Sequence, residues 1–434
     1  MGAWTGGGRD MRILIYPHDL RMGGSQLNAI ELGAAIRQLG HEVILFGQPG
    51  PLVERGAELG LEFVPAPAPG KRPSPSVIRT LVRTVRERRI DVVHGYEWPP
   101  ALECLAASRL VPDTTAVATV MSMAVAPFIP RSMPLMVGTE QIRQGELSSG
   151  RHRVHLLEPP VDIMANRVVD DADLEGFRAR WGLHGDFFTM VCVSRLAKEL
   201  KLEGILSAID AAGQLARDLP VHLLITGSGP AESVVRAQAE RVNAATGENT
   251  VILTGELADP RPAYAAADVV LGMGGSALRG LSFAKPLVVQ GEGGFWELLT
   301  PESLPVFLWQ GWYGSGPGST GAGTDALVTI LRALRTDELL RKSLGSFGRS
   351  VVEDRFSLTS AAQHQTELYQ RFLAGAPATR SRLWAETIAG VQYSSYVVRR
   401  RYQRLRGHQP AEDFNARPVA VRAAAAGQLV SGEA

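Results

Sequence analysis

The chain is predicted to be an α/β protein of two tandem doubly wound domains, with a cleft between their sheets and a basic helical extension at the C-terminus. Three observations lead there. Short apolar, β-branched runs alternate with helical segments in the first third of the chain, the pattern of βαβ units and a mostly parallel sheet. The alternation breaks near Pro159-Pro160 and restarts at Phe187. After Leu373 it gives way to an arginine-rich amphipathic segment.

Each element has its own reason. Arg12–Tyr16, Glu42–Phe46, Leu61–Val64, Asp91–His94, Thr115–Val120, Leu135–Gly138 and Val154–Leu157 read as strands, with helices over Ser25–Leu39, Ser76–Arg89 and Ala101–Arg109 between them. Val168–Glu175 is acidic and aperiodic, which suits a linker. Strands resume at Phe187–Val193, Val221–Thr226, Val251–Thr254, Asp268–Leu271, Leu287–Gln290 and Pro305–Trp309. Gly311–Gly323 is a long Gly/Ser-rich loop of the kind that is usually functional or disordered. The expected division is a loose leader over 1–10, a first domain over 11–162, a linker over 163–186, a second domain over 187–374 and an extension over 375–434.

Composition narrows the function. A net charge of +1 over 434 residues argues against a nucleic-acid binder driven by bulk electrostatics. Cys104 and Cys192 form no CxxC or Cys/His spacing, so buried reduced thiols are expected and no metal site. With no apolar run long enough to span a bilayer and no signal peptide, the expected location is the cytoplasm.

Residues 380–406 hold seven Arg and one Glu. Trp384, Ile388, Val391, Ser395, Val398, Tyr402 and Leu405 recur at alternating steps of four and three, an amphipathic helix. Such a helix either packs back on the protein or rests peripherally on an anionic membrane, at the inner face. Gly407–Ala434 is expected to be disordered.

The chemistry is predicted at strand ends. In Val191-Cys-Val-Ser-Arg-Leu-Ala-Lys-Glu-Leu-Lys201 a buried strand gives way to a helix beginning at Leu202. Arg195 and Lys201 then lie at the carboxyl edge of a parallel sheet, where ligands bind in open α/β folds. An Arg fork and a Lys point charge beside a helix N-terminus suit a diphosphate; solvated surface cations are the alternative. Tyr16–Gln26 brings His18 and then Gly23 and Gly24 to another helix start, either for close approach to a ligand or as a plain turn. Ile225-Thr-Gly-Ser-Gly-Pro230 has the same choice for Gly227 and Ser228. His94, Tyr96 and Glu97 close a strand, facing a ligand or capping it by hydrogen bonds. Ser276, Arg279 and Glu292 are the polar groups at two further strand ends. Asp171-Ala-Asp173 is a DxD in spelling only.

Taken together these segments resemble glycosyltransferases of the GT-B architecture, and among them family 4, the retaining nucleotide-sugar-dependent transferases of the glycogen-synthase-like group. The resemblance spans about residues 11 to 374. It rests on Gly23–Gly24, GHEV at 40–43, DVVH at 91–94, SRL…K at 194–201, ITGSGP, TGEL at 254–257 and YAAADVVLGMGGSALRGLSFAKPLVV at 264–289. It implies two Rossmann-like domains, the first binding acceptor and the second the donor. By that resemblance Arg195 and Lys201 hold the donor diphosphate; His94, facing the acceptor, is the third candidate catalytic group. Gly23, Gly24, Gly227, Ser228, Gly255, Leu257, Ser276, Arg279 and Glu292 line the donor site, and His18, Tyr96 and Glu97 meet the acceptor. No cofactor or metal is implied, the nucleotide sugar being a co-substrate.

The chain departs from the family in three places. The usual pair of glutamates falls on Leu271 and Arg279, and a guanidinium cannot accept hydrogen bonds from ribose hydroxyls. The second His of the HxH motif is Tyr96, and the usual Asn-Gly before Val161-Asp162 is replaced by Glu158-Pro159-Pro160. The expected activity is transfer of a sugar from a nucleotide donor to a hydroxyl of a glycan, lipid-linked or small-molecule acceptor, with retention. The alternatives are a degenerate GT-B partner protein, or a GT-B epimerase or pseudoglycosyltransferase. A nicotinamide oxidoreductase has no glycine fingerprint to support it.

Overall fold

The computed structural model describes residues 10–21, 23–167, 170–375 and 379–406. Nearly all of the expected leader, and the expected disordered tail over 407–434, lie outside the described residues. Two compact units are formed: Met1–Pro160 with Leu358–Ala434, and Val161–Ser357.

The first unit begins with β1 (Arg12–Tyr16), α1 (Gly24–Gln38), β2 (Glu42–Gly47), α2 (Leu52–Glu58), β3 (Glu62–Pro65) and α3 (Pro75–Glu87). It continues with β4 (Val92–Tyr96), α4 (Trp98–Leu110), β5 (Thr115–Val120), β6 (Leu135–Val137), α5 (Glu140–Ser148) and β7 (Val154–Leu156). The seven strands run in the order β3-β2-β1-β4-β5-β6-β7, all parallel. Apolar residues cover both faces. One core gathers α3 and α4 against the sheet, and the other gathers α1.

The second unit comprises α6 (Asp171–Trp181), β8 (Phe188–Val193), α7 (Leu202–Leu215), β9 (Val221–Thr226), α8 (Glu232–Thr246), β10 (Val251–Gly255) and α9 (Arg261–Ala266). Then come β11 (Val269–Gly272), α10 (Gly275–Ser282), β12 (Leu287–Gln290), β13 (Trp296–Leu298), α11 (Leu304–Gln310), α12 (Gly323–Thr336) and α13 (Glu338–Arg355). Its sheet has the order β10-β9-β8-β11-β12-β13, with β13 alone antiparallel. Leu202 opens α7 as the apolar spacing predicts.

Three expectations are corrected. Pro305–Trp309 is not a strand but lies in α11, with Pro305 in the first helical turn. A short apolar run does not by itself tell strand from helix, and the sheet's last place goes to β13, reached by a turn through Gly293 and Gly294. The linker over 163–186 contains α6. Its acidic first turn and basic last turn complement the helix dipole, and Leu174, Phe177 and Trp181 pack on the second unit's core. The second domain does not run to 374. Leu358–Ala374 forms α14, and Ala362, Leu368, Tyr369 and Phe372 complete the first unit's core.

The last helix, α15 (Thr379–Leu405), packs on the first unit through Ala389, Tyr393 and Tyr396. Trp98 and Phe128 meet both tyrosine rings, and the Tyr393 hydroxyl donates to the Arg72 carbonyl. The Arg109 guanidinium pairs with Glu386.

Candidate active site

Both sheets carry candidate residues at the topological switch point, where the strand order reverses and the loops after two neighbouring strands diverge. In the first unit that point lies between β1 and β4, where Tyr16, the last residue of β1, is the register partner of Gly95 in β4.

Here the structure separates residues that the sequence groups together. His94 has no exposed surface. Its Nδ1 meets the Tyr369 hydroxyl at 2.6 Å and its Nε2 the Thr119 hydroxyl at 2.7 Å, while the Gln365 amide also reaches Nδ1. Burial pushes the imidazole down to about 3, so the ring is neutral. The catalytic role expected of His94 is thereby corrected: with both nitrogens engaged inside the core it has nothing to offer a substrate. Tyr96 is corrected likewise, being fully buried and stacked on His94 with ring centroids 4.4 Å apart.

Glu97 does reach the edge. It holds a positive φ of 66° as the N-cap of α4, a conformation uncommon outside glycine and frequent at functional sites. Its carboxylate accepts from the Met121 and Ser122 backbone N–H groups, the Ser122 hydroxyl at 2.7 Å and the Ser25 hydroxyl at 3.4 Å. Burial raises its pKa against those hydrogen bonds. His18 stands at the same edge, partly exposed, with Nδ1 3.6 Å from Asp19; the hydrogen bond from His18 leads the causes that hold Asp19 down at about 2. Gly23 caps α1. A side chain at Gly24, the first helical residue, would meet nothing within 4 Å. Packing therefore does not require glycine at 24.

In the second unit the switch point lies between β8 and β11. The β8–α7 loop holds Arg195, exposed, and Lys201, half-buried at the N-cap of α7. Among the described residues no carboxylate pairs with Lys201. Burial lowers its ammonium to about 8, and the neighbouring Cys192 thiol opposes that shift only as the lesser cause. A desolvated cation without a counter-ion at a helix N-terminus is a site for an anion.

The β9–α8 loop is laced to that segment by backbone. Leu196 N–H donates to the Ser228 carbonyl and Ala231 N–H to the Leu196 carbonyl, each at 2.9 Å. Gly227 has φ +140°, and a side chain there would collide with the Ser194 carbonyl. Its glycine is thus explained by the close approach of two backbones. Gly227 N–H continues the chain of contacts to the Gly255 carbonyl at 2.8 Å, and Gly255 itself, φ +72°, ends a bulged strand. The Ser228 hydroxyl donates to Glu256 at 2.7 Å. Leu257 follows, half-buried.

Ser276 and Arg279 lie on α10 beyond β11. The Ser276 hydroxyl is engaged in its own turn, donating to the Met273 carbonyl at 3.0 Å, and Arg279 is half-buried. Glu292 accepts from Leu200 N–H at 3.3 Å and from the Tyr313 hydroxyl at 2.8 Å. It therefore fastens the lysine loop, whose Leu200 has φ +64°.

Two residues here escaped the sequence reading. Glu203, in the first turn of α7, accepts from the Gly293 and Gly294 N–H groups at 3.1 and 2.7 Å. Gln290 ends β12 at 1% exposure, and neither its amide oxygen nor its nitrogen has a partner among the described residues. A side chain on Gly204 of α7 would come within 3.1 Å of that amide oxygen. An orphaned buried amide costs about 1–3 kcal/mol until something pairs with it. Its only signal in the sequence is a polar residue closing an apolar strand. Among the described residues no group of three or more His, Cys, Asp or Glu is placed to hold a metal.

Comparison with known proteins names the class. Residues 22–136 match the family described as Glycosyltransferase Family 4, and residues 188–309 that described as Glycosyl transferases group 1. The chain is a glycosyltransferase of GT-B architecture, resembling family 4. It is 25% identical over 345 residues to a Corynebacterium glutamicum GDP-mannose-dependent monoacylated alpha-(1-6)-phosphatidylinositol monomannoside mannosyltransferase, covering 72% of this chain and 84% of that one. In fold it is similar to a glycosyltransferase from Rickettsia africae, with TM-score 0.66 and 16% identity over 84% of this chain and 99% of that one. The Anabaena protein HepE, solved with UDP and glucose, gives TM-score 0.66 and 16% identity over 82% of this chain and 98% of that one.

Proposed function

We propose that the enzyme moves a sugar from a nucleoside-diphosphate donor to an acceptor hydroxyl with retention of anomeric configuration and without a metal. The observation that carries this reading is Lys201: a desolvated ammonium at the start of α7, with no carboxylate beside it among the described residues. A diphosphate placed there supplies the missing counter-charge. As the sugar bond breaks, negative charge grows on the leaving diphosphate, and Arg195 and Lys201 offset it without a metal ion. Each well-placed donor of this kind is worth about 3–4 kcal/mol. Gly227, Ser228, Gly255, Leu257, Ser276, Arg279 and Glu292 form the rest of the donor side. Gly23 and Gly24 are assigned to the donor phosphate or sugar, and His18 and Glu97 to the acceptor.

Retention is supported by the resemblance to family 4. The relative from Corynebacterium makes GDP-mannose the first donor to try, and a lipid-linked glycan an acceptor to set beside soluble ones. Residues 380–406 are the segment for any peripheral membrane contact; among the described residues no helix is long and apolar enough to cross a membrane.

The test is a thermal-shift panel of UDP, GDP, ADP, TDP and CDP with their sugars, run beside Lys201→Ala. A ligand at about 100 times its Kd stabilises by roughly 2.7 kcal/mol. One nucleotide should shift the melting point, and the shift should vanish in the variant. A shift that survives in Lys201→Ala removes the diphosphate assignment. Product NMR then reads the anomeric configuration, and turnover unchanged by EDTA is the expected result for metal-independent transfer.

A further inference from the structure

Of the large apolar residues exposed among the described residues, Leu383, Trp384, Ile388, Val391, Val397, Val398, Tyr402 and Leu405 all belong to α15. At about 100° per residue, the stripe formed by Trp384, Ile388, Val391, Ser395, Val398, Tyr402 and Leu405 points roughly 155° away from the face holding Ala389, Tyr393 and Tyr396. The helix is docked by one face and leaves the more apolar one outward: Trp384, Val391, Val398 and Leu405 are 69%, 64%, 69% and 80% exposed.

We propose that this outward face docks on an anionic membrane surface. Charge selects the occupant. The helix carries one acidic residue, Glu386, and it is engaged with Arg109 on the docked side. The charged residues beside the stripe are Arg380, Arg399, Arg401 and Arg406, which suits anionic headgroups. A second copy packed on the same seam would set arginine against arginine, where a coiled-coil pair places opposite charges. Trp384 and Tyr402, near the two ends of the stripe, have the amphipathic rings that favour the headgroup layer.

Placement adds a consequence, which rests on the proposed glycosyl transfer. From Glu386 to Tyr396 the helix runs along α4 from Arg109, near its last residue, to Trp98, its first. Residues 397–406 therefore continue past Trp98, on the side where Glu97 and His18 stand. A membrane held by this face lies beside the acceptor edge, and the acceptor class that follows is a glycan on a lipid anchor.

Co-sedimentation of the full chain with vesicles of 7:3 phosphatidylcholine:phosphatidylglycerol, against phosphatidylcholine alone, tests the docking. Wild type should partition at least about tenfold more strongly to the anionic vesicles. Val391→Glu/Val398→Glu should abolish that binding, and Arg399→Gln/Arg401→Gln should weaken it about tenfold. Both variants should keep the wild-type melting point and nucleotide affinity, so failure of the docking is read separately from failure of the donor site. Equal binding to both vesicles, or stripe variants that bind like wild type, overturns the proposal. So does a concentration-dependent dimer in sedimentation velocity that Val391→Glu/Val398→Glu abolishes without any vesicle binding.

Discussion

His94 and Tyr369 are 275 positions apart in the chain and 2.6 Å apart in the fold. The contact ties β4, at the centre of the first sheet, to α14, which arrives only after the whole second unit has been made. It accounts for a histidine at a strand's carboxyl end without any catalytic work.

Replacing His94 by Leu strands the Thr119 hydroxyl in the core, at about 1–3 kcal/mol, and leaves the Tyr369 hydroxyl only the Gln365 amide while the Leu must also fit the ring's place. Urea unfolding should show a loss of roughly 2–5 kcal/mol. The wild type should also lose stability as pH falls. The folded imidazole takes a proton only near 3, whereas the unfolded one does so near its ordinary value of 6.5. Between those two the unfolded state binds the extra proton and is favoured. His94→Leu should lack that part of the acid dependence; an unchanged pH profile would count against the neutral buried ring.

Lys201→Met should separate stability from function. Removing a desolvated cation that has no carboxylate partner among the described residues stabilises the free enzyme, and a melting-point rise of about 2–4 °C corresponds to ~1 kcal/mol in a unit of this size. The sign with pH is fixed by a folded pKa of about 8 against an ordinary 10.5. Below pH 8 both states carry the charge and the difference from wild type is full. It closes as pH rises toward 10.5, where neither state does. Nucleotide binding should be lost in the variant, and in wild type should weaken as pH passes 8. A less stable Lys201→Met protein would show that the ammonium is held by a partner.

Gly24 and Gly227 should respond oppositely to alanine. Gly227→Ala brings a side chain onto the Ser194 carbonyl at a φ that disfavours one, so it should destabilise by more than about 1 kcal/mol and displace the loop carrying Arg195. Gly24→Ala enters open space in a helix and should leave the melting point level or slightly higher. Its effect belongs in kcat/KM, with a fall of about tenfold or more if backbone at 24 approaches the donor. Normal kcat/KM in Gly24→Ala would remove it from the site.

Arg195→Ala tests the exposed half of the diphosphate clamp. The side chain carries no packing load, so the fold should hold while kcat falls more than tenfold. Unchanged turnover in a folded variant would leave Lys201 alone in that role.

Much of the architecture was legible in the residues. Thr115–Val120, Val221–Thr226 and Leu287–Gln290 stand where the apolar runs put them, because a strand buried on both faces must be apolar throughout. Pro305–Trp309 misled because a run of five apolar residues is compatible with a short helix as well as a strand; in α11 only Phe307 of the five is buried. The charges of α6 read as linker, since a helix that spends them on its own dipole shows little apolar period.

The candidate site was legible only as strand ends. Sequence alone determined that Arg195, Lys201, Gly24 and Glu97 fall where a parallel sheet delivers loops to one edge, because the order of strands and helices fixes that edge. Tertiary structure decided which side chains there are free. It buried His94 and Tyr96 under α14, assigned Gly227 to the approach of two backbones, and left Lys201 without a carboxylate among the described residues. It also turned the apolar stripe of α15 outward. Each of these depends on which distant segment packs against a residue, and periodicity along the chain carries no record of that.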